Sequence, residues 1–557
     1  LLNLKARICI IHNEPDGTNI NENCGSTHIQ DLCDFVKESN ADVGFAFDGD
    51  VLLEGEGLYE VMAEAVRTDC LSGLLIRLNG NFAALITIDG KCYLIVDKLR
   101  SYPLFYSVSS GLHISDSGRE ILSHMEEARS FHEQSVYEFL ALGYLSGEHT
   151  LIKDIHSVEA GSYVVIGKGQ PTSYSYVAYM PENKLTDLSF VKERAAEVLE
   201  ERFSKMLDTI KGRPVLLPLS GGYDSRLIAC LCKKFALEDV TCFTYGREDS
   251  FEVEMSRKVA RQLGFKWYFA EYTFDQWKCF LESEEFKDYC SFAGNLTANP
   301  HFQDFPALLE LKRLGVLRKD MVVIPGHSGD LLGGSKIPAV FLVNRRVHLD
   351  SLFESRLIYD EFYNLNVLKP FMRKQLIERI KLSRTTEKYN NQDAFLDDYE
   401  TWFIKSKVAN FLVNSMRGYE YFGLDWRLPL WDDEYIKVWY SVPWKEKYYS
   451  RFYDEFMFEC YFEKYGVAFR KNRGVTNTGF ANRMKRALPL FLNHWLREGL
   501  QFIRNLRQQK NVNAFDDVAQ ILCNMVSLEA YEDVQCVKRE NINAVVAYYY
   551  LEIVKRI

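Results

Sequence analysis

The chain has 557 residues and a mass of 64.7 kDa, with 47% hydrophobic and 26% charged residues. This balance is near the average of soluble globular proteins and excludes a peptide hormone, a small disulfide scaffold or a wholly disordered chain. The net charge of −10 argues against non-specific binding to nucleic acid or to an acidic membrane. Small molecules or proteins are therefore the expected partners, with no nucleic acid among them.

Nothing in the composition indicates export or membrane insertion. No stretch reaches the roughly 18 consecutive apolar residues of a membrane helix, and the first residues lack the long apolar region of a signal peptide. The 13 cysteines include no CxxC pair, which argues against a zinc ribbon or a disulfide framework. We expect a cytoplasmic protein with no membrane span.

The first 182 residues are predicted to form an antiparallel domain. Alternating runs occur in RICIIHN, in VGFAFDGDVLLEGEG and on both sides of an IDG turn in LIRLNGNFAALITIDGKCYLIVD. Helices are predicted at LYEVMAEAVRT and SVYEFLALGYLSG. The polar, proline-containing segment 168–187 is interpreted as a connection, and the domain boundary is placed within it, which gives domains 1–182 and 183–557.

Residues 183–557 have a different pattern, in which apolar strands alternate with helices. A long amphipathic helix precedes the strand PVLLPLS, and the strands VTCFTYG, FKWYFAEY and DMVVIPG follow, the first two separated by a helix. This alternation predicts a parallel sheet covered on both faces, with ligands at the carboxyl ends of its strands. Beyond Gly334 the chain is predicted to be mainly helical.

The most informative segment is LPLSGGYDSR, in which a strand runs through two glycines directly into a helix. Backbone N–H groups at such a turn, together with the helix dipole, can hold a polyanion. Ser220, Gly221, Gly222 and Ser225 can donate to phosphate oxygens, and Asp224 can hold Mg²⁺ against them. The alternative is an ordinary strand-to-helix turn, since Gly, Ser and Asp are usual there. The Walker pattern GxxxxGK[ST] is absent.

These residues resemble the SGGxDS pyrophosphate loop of ATP-pyrophosphatase domains, and their surroundings resemble asparagine synthetase. The family's GxGSDExFGG segment is matched by PGHSGDLLGG at 325–334, and its GVEARVPFLD segment by GLDWRLPLWD at 423–432. A basic loop, FRKNRG, follows around Lys471. The run LNGNFAALITIDGKCYLIVDKLRSYPLFY is similar to part of the family's glutaminase domain. The likeness therefore spans nearly the whole chain, in order.

The resemblance implies ATP and Mg²⁺ as cofactors and an acyl-adenylate intermediate. Asp224 and Asp330 match the two carboxylates that hold Mg²⁺ on the pyrophosphate. The ATP site is implied to include the SGGYDS turn and also Leu219, Tyr245 and Gly326. Without the family context, Asp330 is equally interpretable as a helix N-cap or turn residue.

Three residues are the catalytic candidates. Lys471 would offset charge that develops during the reaction, although Arg473 competes for that role and the basic segment could instead be a solvated face. His327 stands where asparagine synthetase has a glutamate and β-lactam synthetases have a tyrosine, and its imidazole could take a proton from an attacking amine; a structural histidine is the alternative. Asp425 stands where the family has a glutamate and could hold Arg427 or substrate.

The glutaminase half departs from the family pattern. Such enzymes use an amino-terminal cysteine whose α-amine is the base, whereas this sequence starts with Leu1 and its nearest cysteine, Cys9, is internal. The family's NGEIYN pocket appears only as FAFDGDVLL, residues 45–53. Glutamine hydrolysis is therefore not expected unless the chain is trimmed to Cys9.

The resulting hypothesis is a ligase that adenylates a small-molecule, peptide or sugar carboxylate and transfers the acyl group to ammonia or an amine. The pattern is closest to β-lactam synthetases and lasso-peptide cyclases, which lack the glutaminase cysteine. Glutamine-dependent asparagine synthesis and an inactive nucleotide-binding scaffold are the alternatives, motivated in the second case by the altered residues His327 and Asp425. A homodimer is also compatible with the resemblance.

Overall fold

The structure is a computed structural model, and it describes most of the chain. The described residues are 43–52, 58–125, 130–177, 179–180, 184–327, 329–342, 348–362, 370–382, 388–470, 515–526 and 542–556. The predicted strand RICIIHN, Cys9, Lys471 and Arg473 lie outside these ranges. Within them, no helix combines the length and the hydropathy that crossing a membrane requires.

Two antiparallel sheets form the amino-terminal part. The larger has the order β1-β2-β3-β7-β8 and the smaller the order β5-β4-β6. The strands are β1 Val43–Leu52, β2 Asn79–Ile88, β3 Lys91–Val96, β4 Phe105–Ser107, β5 His113–Ser115, β6 His156–Ser157, β7 Ser162–Ile166 and β8 Thr172–Ser175. The helices are α1 Leu58–Arg67, α2 Leu71–Arg77, α3 Gly118–His124 and α4 Glu133–Leu142.

Two details of this part differ from the sequence prediction. The residues Leu75–Arg77, predicted to begin a strand, end helix α2 instead. The segment interpreted as a polar connection contains β8, whose residues pair with β7 although all four side chains are exposed. Backbone pairing holds this edge strand, so the apolar alternation that reveals other strands is missing.

A five-stranded parallel sheet forms the centre of the second part, in the order β11-β10-β9-β12-β13. Its strands are β9 Val215–Pro218, β10 Val240–Gly246, β11 Lys266–Glu271, β12 Val322–Val323 and β13 Asp425–Trp426. The helices up to β12 are α5 Leu188–Ile210, α6 Tyr223–Lys234, α7 Phe251–Leu263, α8 Phe274–Leu281, α9 Glu284–Gly294 and α10 Phe305–Arg313. The antiparallel and parallel fold classes predicted for the two parts are thus confirmed.

The remaining described chain is helical. The α-helices are α11 Gly329–Leu332, α12 Leu349–Arg356, α13 Pro370–Leu382, α14 Gln392–Phe403, α15 Arg417–Tyr421, α16 Asp433–Ser441, α17 Trp444–Lys447, α18 Arg451–Met457, α19 Phe515–Met525 and α20 Ile542–Arg556. Short 3₁₀ helices lie at Ala339–Leu342, Val413–Met416, Pro429–Trp431 and Tyr448–Ser450, and π-helices at Leu357–Glu361, Ile404–Leu412 and Phe458–Phe462.

The two parts pack against each other. Asn79 donates to the Asp432 carboxylate at 2.7 Å, and the rings of Tyr102 and Trp426 stack with centroids 5.6 Å apart. One continuous apolar core joins helices of the amino-terminal part to the parallel sheet, while two smaller cores involve the antiparallel sheet. The antiparallel part therefore supports strand β13 and the residues that follow it. The domain boundary at 182/183 stays a prediction.

Candidate active site

The turn between β9 and α6 is shaped by its own serines. The Ser220 N–H donates to the Ser225 hydroxyl at 3.2 Å, and the Gly222 N–H donates to the Ser220 hydroxyl at 3.1 Å. Gly222 is the N-cap of α6, and no side chain caps this helix. Because the helix dipole is positive at this end and Gly222 has no side chain with which to cap the helix, the turn is suited to a polyanion.

The segment after β12 lies directly against this turn. A Cβ added to Gly326 would be 2.1 Å from the Ser225 nitrogen and 2.4 Å from the Asp224 carbonyl carbon. A Cβ added to Gly329 would be 2.8 Å from an oxygen of Asp224. Both positions therefore require glycine for close approach rather than for an unusual φ angle. The two glycine-containing segments meet because β9 and β12 are adjacent parallel strands.

Asp224 and Asp330 are joined by a backbone contact. The Asp330 N–H donates to Oδ2 of Asp224 at 3.2 Å, and the Asp330 side chain is exposed. The structure thus brings together the two residues predicted to hold magnesium. In the described ranges, no group of three or more His, Cys, Asp or Glu side chains is arranged to hold a metal ion. Two carboxylates alone suit Mg²⁺, which is usually completed by water and phosphate oxygens.

His327 lies between the sheet and the helical region. Its Nε2 is 3.0 Å from the Leu412 carbonyl oxygen, which can only accept, so Nε2 carries the proton and Nδ1 is the basic nitrogen. The Trp431 indole N–H donates to the His327 carbonyl at 3.1 Å. Burial lowers the pKa of the His327 imidazole, and His301 lowers it further. A neutral imidazole with a basic Nδ1 is the form that a proton acceptor needs.

Leu219 and Tyr245 lie at the carboxyl edge of the sheet. The Thr244 hydroxyl donates to the Leu219 carbonyl. This bond connects β10 to the turn formed by residues Ser220–Ser225, which is called the phosphate-type turn below. The Tyr245 hydroxyl donates to Asp304 at 2.5 Å, and its ring stacks on Tyr272 with centroids 5.0 Å apart. Burial and then Asp304 raise the pKa of the Tyr245 phenol, which therefore stays protonated.

Asp425 is the predicted site residue that the structure places elsewhere. It begins β13, and its carboxylate pairs with Arg213, two residues before β9. Arg213 also donates to the carbonyl of Asp320, two residues before β12. Because these strands are parallel, all three residues lie at the amino edge, opposite the phosphate-type turn. Arg427, which the sequence analysis considered as a partner of Asp425, donates to the Thr209 hydroxyl and to the Trp426 carbonyl.

Arg226 lies near the turn and was not among the site residues predicted from the sequence. Its side chain is fully buried, and it donates to the carbonyls of Val467 at 3.1 Å and Phe469 at 2.6 Å. Its guanidinium also lies over the rings of Tyr223 and Phe462, at 5.2 and 5.1 Å. Arg226 therefore attaches the end of the described segment 388–470 to the helix that carries the phosphate-type turn. The only available signal was an arginine immediately after the motif.

Comparison with protein families gives two matches. The asparagine synthase family matches residues 196–515, which is more than half of the chain, and the glutamine amidotransferase domain matches residues 53–177. Residues 1–52 lie outside both matches, and with them Cys9 and nearly all of the segment compared with the family's glutamine pocket. The residues of the phosphate-type turn, His327, Asp330 and Asp425 all lie within the first match.

Curated relatives are similar only over parts of their length. A phosphoglucosamine mutase from Ruminiclostridium cellulolyticum is 64% identical over 50 residues, 9% of this chain and 11% of that protein. Another, from Clostridium botulinum, is 30% identical over 203 residues, 35% of this chain and 40% of that protein. The chain thus spans less than half of the length of these relatives, too little to carry their activity over.

Among solved structures, a glutamine phosphoribosylpyrophosphate amidotransferase from B. subtilis, complexed with ADP and GMP, is similar over 52% of this chain and 57% of that one. Its identity is 12% and its TM-score 0.17, which is too low to support any argument. The family match, which covers the parallel sheet and both glycine-containing segments, is decisive. The chain belongs to the asparagine synthase family, an ATP-dependent ligase and amidotransferase family.

Proposed function

We propose that the protein is an ATP-dependent ligase that forms an amide bond through an acyl-adenylate. A carboxylate oxygen of the substrate attacks the α-phosphorus of ATP, the bond from that phosphorus to the bridging oxygen breaks, and pyrophosphate leaves. The nitrogen of ammonia or an amine then attacks the acyl carbon. The carbon–oxygen bond to AMP breaks, its electron pair leaves with AMP, and the nitrogen loses a proton.

The observation that carries this proposal is the contact between Asp330 and Asp224. It joins two segments more than 100 residues apart at one point, directly beside an uncapped helix N-terminus. A P-loop site that transfers the γ-phosphate would instead be expected to contain a Walker lysine, which this turn lacks. Two carboxylates beside the phosphate-type turn could hold Mg²⁺ on the β- and γ-phosphates, which favours a reaction in which pyrophosphate is the leaving group.

The turn, the two aspartates and His327 have distinct roles in this proposal. The Ser220–Ser225 turn binds the β- and γ-phosphates through backbone N–H and hydroxyl groups. Asp224 and Asp330 would hold Mg²⁺, which when bound would offset the negative charge of the leaving pyrophosphate. Nδ1 of His327 takes the proton from the attacking nitrogen. The role of Lys471 in offsetting charge on the α-phosphate remains a prediction from the resemblance.

The amino-terminal domain is proposed to support the synthetase part rather than to supply ammonia from glutamine. It contacts residues on both sides of β13: Arg417, before the strand, donates to the Ser101 carbonyl at 2.8 Å, and Asn79 donates to Asp432, after it. Ammonia or an amine from another source would then be the nitrogen donor. Amide formation measured with ammonium and with glutamine as the nitrogen donor distinguishes a supporting domain from a glutaminase. A supporting domain predicts product with ammonium only.

The products of ATP distinguish this proposal from other ATP-dependent reactions. The purified protein is incubated with ATP, Mg²⁺, ammonium and a panel of carboxylates that includes L-aspartate, acidic peptides and uronic acids. We expect AMP and pyrophosphate in equal amounts with at least one acid, and neither product from Asp330→Asn. ADP and phosphate as the only carboxylate-dependent products would reject the acyl-adenylate.

A further inference from the structure

Asp304 stands at the start of helix α10 but does not cap it. It occupies the N-cap position, where an aspartate side chain ordinarily accepts from the first N–H groups of the helix, yet it forms no such bond. Instead its Oδ1 accepts from the Tyr245 hydroxyl at 2.5 Å, and its Oδ2 accepts from the Tyr419 hydroxyl. Both carboxyl oxygens of Asp304 are therefore acceptors for phenol groups.

No cation balances this carboxylate in the part of the chain that the structure describes. No Lys, Arg or His nitrogen there forms an ion pair with Asp304. The two nearest imidazoles, those of His301 and His327, both have their pKa lowered by burial and are neutral at neutral pH. Burial and the carboxylate itself raise the pKa of both phenols, which therefore contribute donors but no charge.

The carboxylate also lies beside the proposed reaction centre. Tyr245 is the penultimate residue of β10, at the same edge of the sheet as the phosphate-type turn after β9. Burial is the largest influence on the pKa of the His327 imidazole, and Asp304 and Asp330 each act on it electrostatically in the opposite direction. His301, Asp304 and His327 are each partly exposed.

We propose that Asp304 binds the nitrogen substrate as a cation, so that the substrate class is ammonium or a primary alkylammonium rather than a neutral amide. This inference rests on the proposed amide-forming function. A carboxylate oxygen that accepts one phenol still has a lone pair for a further donor, and an ammonium group supplies three. The cation would provide the charge that the described side chains do not, next to the base His327.

Direct binding tests this inference without turnover. Saturation-transfer NMR is used to titrate n-butylamine, which is a cation at neutral pH, and 1-butanol, its uncharged match, against the full chain. We expect butylammonium to bind and butanol to bind at least tenfold more weakly. Asp304→Asn, which retains the shape, should weaken butylammonium at least tenfold. Asp187→Asn, at the N-cap of helix α5, is the matched control and should bind as the unaltered protein does.

Tyr419→Phe provides a second variant if Asp304→Asn does not fold. It frees one oxygen of Asp304 and should bind butylammonium at least as tightly as the unaltered protein. Equal binding of butylammonium and butanol, or undiminished butylammonium binding by folded Asp304→Asn, would overturn the inference. Weaker butylammonium binding by folded Tyr419→Phe would also overturn it, because the phenol rather than the carboxylate would then be the ligand.

Turnover separates this inference from the proposed function. With an acid that supports AMP formation, Asp304→Asn should retain carboxylate-dependent pyrophosphate release. Its KM for ammonium should rise at least tenfold, while its KM for hydroxylamine, which is uncharged at neutral pH, should change less than threefold. An equal rise for both nucleophiles would overturn the inference and leave the ligase intact. If no acid yields AMP, the ligase proposal fails, and the amine-binding result stands on its own.

Discussion

The replacement Gly326→Ala is expected to separate the two halves of the proposed ATP site. The new Cβ would lie 2.1 Å from the Ser225 nitrogen, against 3.4 Å for an ordinary contact, so about 1.3 Å of separation (3.4 − 2.1) must be gained. The nearest atoms all belong to the backbone at the start of helix α6, so no side chain can rotate away. The strand end or the helix must move instead.

The expected effect is large on ligand binding and moderate on stability. Crowding a packed site by one methyl group costs roughly 1–3 kcal/mol of folding free energy. A displacement of about 1 Å at a reacting site can lower activity by about 100-fold. We therefore expect Mg·ATP to bind to Gly326→Ala at least tenfold more weakly by isothermal titration calorimetry, while urea unfolding still shows a cooperative transition.

Gly73→Ala is the matched control for this experiment. Gly73 is an exposed residue of helix α2, and a Cβ there would have no atom within 4 Å. Alanine has the higher helix propensity, so this variant should be as stable as the unaltered protein and bind ATP equally. If folded Gly326→Ala binds Mg·ATP with unaltered affinity, the close approach of the two segments is not what forms the phosphate site.

Three further replacements test other contacts. Arg226→Met should lower the free energy of unfolding by roughly 2–6 kcal/mol in urea titration, because the buried carbonyl of Val467 and the partly buried carbonyl of Phe469 lose their donor at about 1–3 kcal/mol each. Lys233→Met, at the exposed end of the same helix, should change it by less than about 0.5 kcal/mol. Asp425→Asn should leave carboxylate-dependent pyrophosphate release unchanged and cost less than about 1 kcal/mol, because its ion pair is exposed; a large loss of turnover would contradict its placement at the amino edge. Between pH 7 and pH 5, His327→Gln should lose less folding stability than the unaltered protein does. Burial lowers the pKa of the His327 imidazole in the folded protein, whereas histidines of the unfolded chain titrate near about 6.5. The unfolded chain therefore binds more protons on acidification, which favours unfolding only while His327 is present. Unfolding titrations of both proteins at the two pH values measure that difference, and identical pH dependence would contradict it.

The phosphate-type turn could be predicted because its chemistry is local. The strand β9 is buried, the glycines permit a tight turn, and the helix begins at once, so sequence spacing and backbone geometry agree. The meeting of Asp224 with Asp330 also follows from the alternation of strands and helices, since adjacent parallel strands place their carboxyl ends together. The family resemblance was needed only to select Asp330, rather than another residue of its turn, as the second magnesium ligand.

Asp425 shows where sequence reasoning failed. Its position in a family motif says nothing about which end of a strand it occupies, and β13 is only two residues long. A shift of two residues along such a strand separates the amino edge from the carboxyl edge. The edge strand β8 was missed for a related reason, because its pairing with β7 uses backbone groups that carry no side-chain pattern.

Arg226 and Asp304 could not be assigned from the sequence because each acts through partners far along the chain. Arg226 donates to carbonyls about 240 residues away, and no carboxylate pairs with it in the described ranges. Asp304 accepts from phenols on two separate elements and has no described cation. A folded chain ordinarily pairs buried charges, because leaving them unpaired is costly. The carbonyls and rings around Arg226, and the two phenols around Asp304, take the place of an opposite charge. None of these partners leaves a pattern near its residue in the sequence.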